Sequence, residues 1–138
     1  MKLFLDTSAL VARHNRDDAH HEEALKIFER ISSGELAFTK LYCSDYVFDE
    51  ATTTCLARTR NHGAAVELGE ALLRSKSIVT LRVDEKAFSE AWNIFKKHGE
   101  IALSFTDCTT VALARRNGIL SIFTFDREFD AMGLHRIP

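Results

Sequence analysis

Four acidic side chains stand where a parallel α/β sheet builds its sites, beyond the carboxyl ends of the strands. Asp6 directly follows the short apolar run Lys2–Leu5, and Asp126 directly follows Ile119–Phe125. Asp107 falls in the first turn of a helix, after the loop Leu103-Ser104-Phe105-Thr106. Glu50 lies inside a helix, beside Ala51 and one turn from Val47 and Thr54, at the edge of an apolar stripe. Alone, each has an ordinary explanation. Asp6, Asp107 and Asp126 can be helix N-caps worth about 1 kcal/mol apiece, Ser104 and Asp107 a capping box, and Glu50 a solvated helix edge. Together they conflict, because carboxylates converging on one rim raise one another's pKa values. A divalent cation removes the conflict, and an all-oxygen site with water suits Mg²⁺, with Mn²⁺ as a substitute. Zinc is disfavoured: the six histidines contain no H-x-x-x-H or H-E-x-x-H, and Cys43, Cys55 and Cys108 form no C-x-x-C.

The elements that must position these groups follow from hydrophobic period and punctuation. Lys2–Leu5 reads as a buried strand that turns at Asp6-Thr7-Ser8 into a helix. Ala24, Ile27, Phe28 and Ile31 mark a helix over about 20–32, closed by Gly34, and Leu36–Thr39 reads as the next strand. Ser44 or Asp45 caps a helix that ends near Asn61. His62-Gly63 breaks the chain, and Ala65, Leu68 and Leu72 mark another helix. Ser77–Val83 alternates as a third strand. Asp84 caps a helix with Ala87, Phe88, Ala91, Trp92 and Phe95 on its inner face, stopped at His98-Gly99. A helix from Ser104 to Arg116, with Gly118 as its C′ residue, leads to a strand over Ile119–Phe125, a short helix from Asp126 and a fifth strand over Leu134–Ile137. Strands separated by helices give a three-layer α/β sandwich, a central mostly parallel sheet of four to five strands flanked by helices. The aromatic residues fall mostly on apolar stripes and read as core, with no stacking platform for bases.

Composition narrows the class. The 138 residues suit one domain, 1–138, without internal repeats, and 46% hydrophobic with 28% charged residues is the balance of a globular protein. No apolar run reaches the roughly 18 residues needed to span a bilayer. The opening Met1-Lys2-Leu3-Phe4-Leu5 ends too early at Asp6 for a signal core, so the expected location is the cytoplasm. An odd number of cysteines fits a reducing compartment. A net charge of -2 excludes binding of nucleic acid through bulk basicity and leaves only a local basic patch.

Leu3-Phe4-Leu5-Asp6-Thr7-Ser8-Ala9-Leu10 resembles the opening of PIN-domain ribonucleases. Tyr46-Val47-Phe48-Asp49-Glu50 is similar to that family's second acidic motif, Leu103-Ser104-Phe105-Thr106-Asp107 to its third, and Thr124-Phe125-Asp126-Arg127-Glu128-Phe129 to its fourth. Each motif alone is weak, but the four occur in order over the whole chain. The resemblance is strongest to the toxins of VapBC-type toxin–antitoxin pairs. It implies a PIN-like fold and an endoribonuclease in which Asp6, Glu50, Asp107 and Asp126 hold Mg²⁺ and a metal-activated water attacks an RNA phosphodiester. Thr7, Ser8, Ser104 and Thr124 are short hydroxyls placed to orient those acids. Arg13, Arg58 and Arg127 are the candidate phosphate contacts. The resemblance also implies a cognate antitoxin and a homodimer. Two other readings carry different expectations. A catalytically silent PIN-like binding module would lack acids, and none is missing. A receiver-like signalling domain wants adjacent acids after the first strand, where Asp6 stands alone.

Overall fold

The computed structural model describes residues 1–138. Five strands, Lys2–Leu5 (β1), Lys40–Ser44 (β2), Ile78–Leu81 (β3), Ser121–Phe123 (β4) and His135–Ile137 (β5), form one sheet in the order β3-β2-β1-β4-β5. Every pairing is parallel, so the sheet is wholly parallel. Helices Thr7–His14 (α1), His21–Ser32 (α2), Asp45–Thr59 (α3), His62–Arg74 (α4), Glu85–Lys97 (α5) and Phe105–Arg116 (α6) flank it, and a 3₁₀ turn, Arg127–Met132, leads into β5. No helix is long and apolar enough to cross a membrane.

The central strand is the most hydrophobic. Leu3, Phe4 and Leu5 have no exposed surface, as a strand covered on both faces requires. From β1 the chain builds outward through β2 and β3, then returns to the other edge of β1 with β4 and β5. Strand order therefore reverses between β1 and β4, and the carboxyl ends of those two strands open the crevice in which α/β sheets place ligands. Leu3 pairs with Ser121 and Leu5 with Phe123, so Asp6 and Thr124 emerge side by side.

Three expectations need correction. Leu36–Thr39 is not a strand. Leu36 and Phe38 pack on the core, but pairing begins only at Lys40, which is in register with Lys2, and β2 alternates with Leu41 and Cys43 inward. His62-Gly63 is not the break between α3 and α4. Arg60 takes the left-handed conformation (φ 52°) and Asn61 Oδ1 accepts the N–H of Ala64, so the chain reverses two residues earlier and His62 opens α4. Phe88, Trp92 and Phe95 are not on an inner face. The buried stripe of α5 is Ala87, Ala91 and Ile94, small enough to bring the helix close to its neighbours. The three rings lie to the side of that stripe, 41–48% exposed, and gather around Phe105 with centroids 5.0–6.4 Å away.

Candidate active site

The site begins where β1 runs out of apolar residues. Asp6 N–H donates to the Phe123 carbonyl at 3.0 Å, which carries the β1–β4 pairing one residue further and fixes the carboxylate at the reversal of strand order. The side chain is 1% exposed. Its Oδ2 accepts from Thr124 Oγ1 at 2.7 Å and from Ser8 Oγ at 3.1 Å. The same two hydroxyls accept backbone N–H groups, Thr124 from Asp126 and Ser8 from Phe125, each at 3.0 Å. Two short side chains thus lock Asp6 to the backbone that carries Asp126. The other oxygen, Oδ1, is buried without any partner, and so is Thr7 Oγ1 next to it. Leaving a buried acceptor unpaired costs about 1–3 kcal/mol, and more when it is charged.

Neither Asp6 nor Asp126 makes a side-chain capping bond, although each stands at an N-cap position. Asp107 does cap. Its Oδ2 accepts the N–H of Ser104 at 2.9 Å, while its own N–H donates to Ser104 Oγ at 3.0 Å, the reciprocal capping box of α6. That box fixes the Asp107 carboxylate against the other acids. Burial pushes Asp6 up to about 7, and the negative charge of Asp107 adds to the rise. Burial likewise raises Asp107 to about 6; the Ser104 N–H draws it back and Glu50 pushes it further. Asp126, at the rim, is also raised, first by desolvation and then by Glu128, while hydrogen bonding with the Asp6 carboxyl, and after it Arg58 and His20, oppose the rise. The four acids singled out by the sequence therefore act on one another as one electrostatic unit.

They do not converge as a closed cage, since no three His, Cys, Asp or Glu side chains are disposed as a ready-made metal shell. The donor set nevertheless fits a hard cation. A buried carboxylate oxygen of Asp6 and the hydroxyl of the next residue, Thr7, both lack a hydrogen-bond partner, Asp6 and Asp107 resist ionisation without a counter-charge, and Mg²⁺ retains several waters and needs few protein oxygens.

A pocket of about 160 Å³ opens beside these groups, lined by Thr7, Ser8, Val11, Glu50, Thr54, Arg58 and Asp126; of the four acids, Glu50 and Asp126 line it and Asp6 and Asp107 do not. Of the three candidate phosphate contacts, only Arg58 belongs to it. Arg13 instead lines a separate cavity with Phe28 and Phe38, because two turns of α1 carry it roughly 10 Å along the helix axis, to the end away from Asp6. Arg127 is exposed at the start of the 3₁₀ turn and does not line the pocket. Two residues bordering the site escape any reading of the sequence. Asp18 Oδ2 lies 3.7 Å from Arg58 Nη1, and the His20 ring stacks on Phe125, beside Asp126, with centroids 4.2 Å apart. Both lie in the α1–α2 turn, more than a hundred residues from Phe125, and no local pattern announces them.

The PIN domain family matches residues 3–134 of this chain. Over 132 residues the sequence is 33% identical to the 23S rRNA-specific endonuclease VapC20 of Mycobacterium tuberculosis, covering 95% of this chain and 94% of that one. The crystal structure of that VapC20, described as a sarcin-ricin loop cleaving toxin, superposes with a TM-score of 0.84 at 30% identity, over 96% of this chain and 95% of the other. VapBC2 of Rickettsia felis, crystallised with a DNA fragment from its promoter, gives a TM-score of 0.70 at 13% identity over 99% and 98% of the two chains, a likeness of fold alone. With four acidic motifs in order, a wholly parallel sheet that reverses at β1 and β4, and relatives matched over nearly their full length, this chain belongs to the PIN-domain family, among its VapC-type ribonucleases.

Proposed function

We propose that residues 1–138 act as one nuclease domain, a Mg²⁺-dependent endoribonuclease that hydrolyses RNA phosphodiester bonds as the toxin of a toxin–antitoxin pair. The observation that carries this reading is the Asp6 carboxylate, buried at the strand reversal with one oxygen held by Thr124 and Ser8 and the other unpartnered amid acidic neighbours. Asp6, Glu50, Asp107 and Asp126 would hold the cation, which when bound makes water a stronger acid and neutralises charge on the phosphate. Ser8 and Thr124 keep Asp6 in one orientation, and Ser104 does the same for Asp107. Thr7 lines the pocket and carries a buried hydroxyl without a partner, and Arg58 supplies the pocket's cation.

The substrate of the mycobacterial relative, 23S rRNA with its sarcin-ricin loop, is the first RNA to test. The purified protein should cut such an RNA at internal positions with Mg²⁺, cut it with Mn²⁺ as a substitute, and leave it intact in excess EDTA. Cleavage that persists in EDTA would remove the metal from the mechanism.

A nuclease of this kind needs an inhibitor, and the VapBC2 complex supports a cognate antitoxin as the partner of this chain, both working in the cytoplasm. A homodimer has an apolar surface available in the exposed rings of α5. Along that helix Glu85 and Glu90, with Lys86 the one cation among them, give way to Lys96 and Lys97, so antiparallel pairing of two copies places opposite charges together. Trp92, half exposed at the centre of the stripe, is the probe. Trp92→Glu should convert a dimer into a monomer in sedimentation velocity with the Tm within a few degrees of wild type. A variant that still sediments as a dimer would move the interface elsewhere.

A further inference from the structure

Two residues near the acidic pocket, Arg58 and His20, meet at a single carboxylate that the nuclease chemistry does not use. Asp18 belongs to the turn between α1 and α2, a segment braced by its own bonds: Asp17 N–H donates to Asn15 Oδ1 and Asp18 N–H to the Asn15 carbonyl, both at 3.1 Å. Asn15 is itself buried, so the turn has a fixed foot. From that foot Asp18 reaches two ways. Its Oδ1 accepts the backbone N–H of His20 at 2.8 Å, and its Oδ2 lies 3.7 Å from Arg58 Nη1. The Asp18 side chain is only 12% exposed, whereas Arg58 is 60% exposed, so the acid is the anchor and the guanidinium the free end.

Both groups lie close to the acids. Arg58 lines the pocket together with Glu50 and Asp126, and it also lines the adjoining cleft of about 630 Å³ that runs along Asn15, Arg16, Asn61 and Gly63. The His20 imidazole lies flat on Phe125, with 7° between the ring planes, one residue from Asp126. Neither of its ring nitrogens makes a hydrogen bond within the protein, and the nearest acid is Glu23 Oε2, 3.9 Å from Nδ1. A guanidinium that lines the pocket within ion-pair range of Asp18, and an imidazole stacked on the residue before Asp126, therefore present N–H groups without a hydrogen-bond partner in the protein on the same side of the molecule.

We propose that Arg58 and His20 form a phosphate-binding site for single-stranded RNA at the mouth of the acidic pocket, and that Asp18 is the positioning residue that sets both. The inference rests on the ribonuclease reading above and adds the side from which the RNA backbone enters. A guanidinium gives a phosphate two parallel donors and the imidazole gives a third. The backbone then continues along the cleft that Arg58 shares, past Arg16. Base identity is not read by these groups, because phosphate contacts position the strand and carry no sequence information.

The experiment measures binding of a fluorescent single-stranded RNA oligonucleotide in EDTA, which prevents cleavage, over a range of KCl concentrations, and initial cleavage rates in Mg²⁺ alongside. Arg58→Ala should raise Kd roughly tenfold, as the loss of a charge-assisted contact does, and lower the slope of log K against log salt by about 0.7. His20→Phe keeps a ring to stack on Phe125 but has no N–H, and should weaken binding as much as His20→Ala. Asp18→Asn gives the sharpest result because the two explanations differ in sign. If Asp18 is merely a negative charge near the path, its removal tightens RNA binding; if it sets Arg58 and His20, its removal weakens binding and raises KM with kcat held. Tighter binding by Asp18→Asn, or unchanged Kd and KM in Arg58→Ala and His20→Phe, overturns the site while wild-type cleavage leaves the ribonuclease reading intact. A wild-type protein that neither binds nor cuts RNA overturns both. Should Asp18→Asn fail to fold, the other two variants still decide for or against the site through the salt slope and KM.

Discussion

Asp107→Asn should cut RNA more than about a hundredfold more slowly than wild type in Mg²⁺, yet melt at the wild-type temperature or above it when metal is absent. The separation of the two readouts follows from the double role of this side chain. As a cap, Asp107 needs only one oxygen to accept the Ser104 N–H and its own N–H to reach Ser104 Oγ. Asparagine supplies both, and it is as good as aspartate in caps. As an anion, Asp107 stands among Asp6, Glu50 and Asp126, and burial already drives its pKa to about 6. Removing that charge relieves repulsion in the metal-free protein while removing an oxygen anion from the cation site. Thermal melts in EDTA, melts with added Mg²⁺ and single-turnover cleavage distinguish the cases. An Asp107→Asn protein with near-normal Mg²⁺-dependent cleavage would reduce Asp107 to a helix cap and overturn the site assignment.

The second large effect is on stability against pH. The unfolded chain ionises Asp6 near the ordinary carboxylate value of 3.8, whereas the folded protein holds the proton to about 7. Between those two pH values the folded state binds more protons than the unfolded one, so stability falls as pH rises. Below about 4 both states are protonated and there is no penalty; above about 7 the penalty is complete and constant. Asp107 adds the same sign of slope over a narrower window ending near 6. In EDTA the Tm should therefore drop steadily from pH 4 to pH 7. Asp6→Asn should flatten most of that drop and gain on the order of 3 kcal/mol at pH 7, roughly 10 °C in a domain of this size. Thr124 and Ser8 still find an acceptor in the asparagine, so their bonds survive the change. Mg²⁺ should reverse the wild-type trend, stabilising it most at pH 7 and above, where the carboxylates are free of protons. A metal-free Tm that rises from pH 4 to 7 would show that Asp6 is ionised cheaply, and with it the reason for a cation would vanish.

Fold class, the order of elements and the places of Asp6 at a strand end, Glu50 within a helix and Asp107 in a first helical turn were legible in the linear chain, because each is a local signal; Asp126 lies three residues past the end of β4, not directly after it. Apolar β-rich runs such as Leu3-Phe4-Leu5 mark buried strands, helices follow 3.6-residue periodicity, and a carboxylate directly after a strand falls at its carboxyl end by geometry alone. The capping box of Ser104 and Asp107 was legible for the same reason, since it spans a single turn. What stayed hidden depends on residues distant in the chain. The strand expected at Leu36–Thr39 starts instead at Lys40, because register is set by pairing with Lys2 and not by which neighbouring run is more apolar. The ring stripe of α5 looks like a core stripe in one dimension, but Ala87, Ala91 and Ile94 take the contact and leave Trp92 outside. Of three arginines near the acids in sequence, the folded chain keeps only Arg58 at the pocket, and it brings Asp18 to Arg58 and His20 to Phe125 from a turn that no motif marks. Local sequence fixes which groups lie at strand ends, because that is a matter of bonds a few residues apart. Which cations meet those groups depends on how α1, α2 and α3 pack around the strand reversal, and only the assembled sheet sets that.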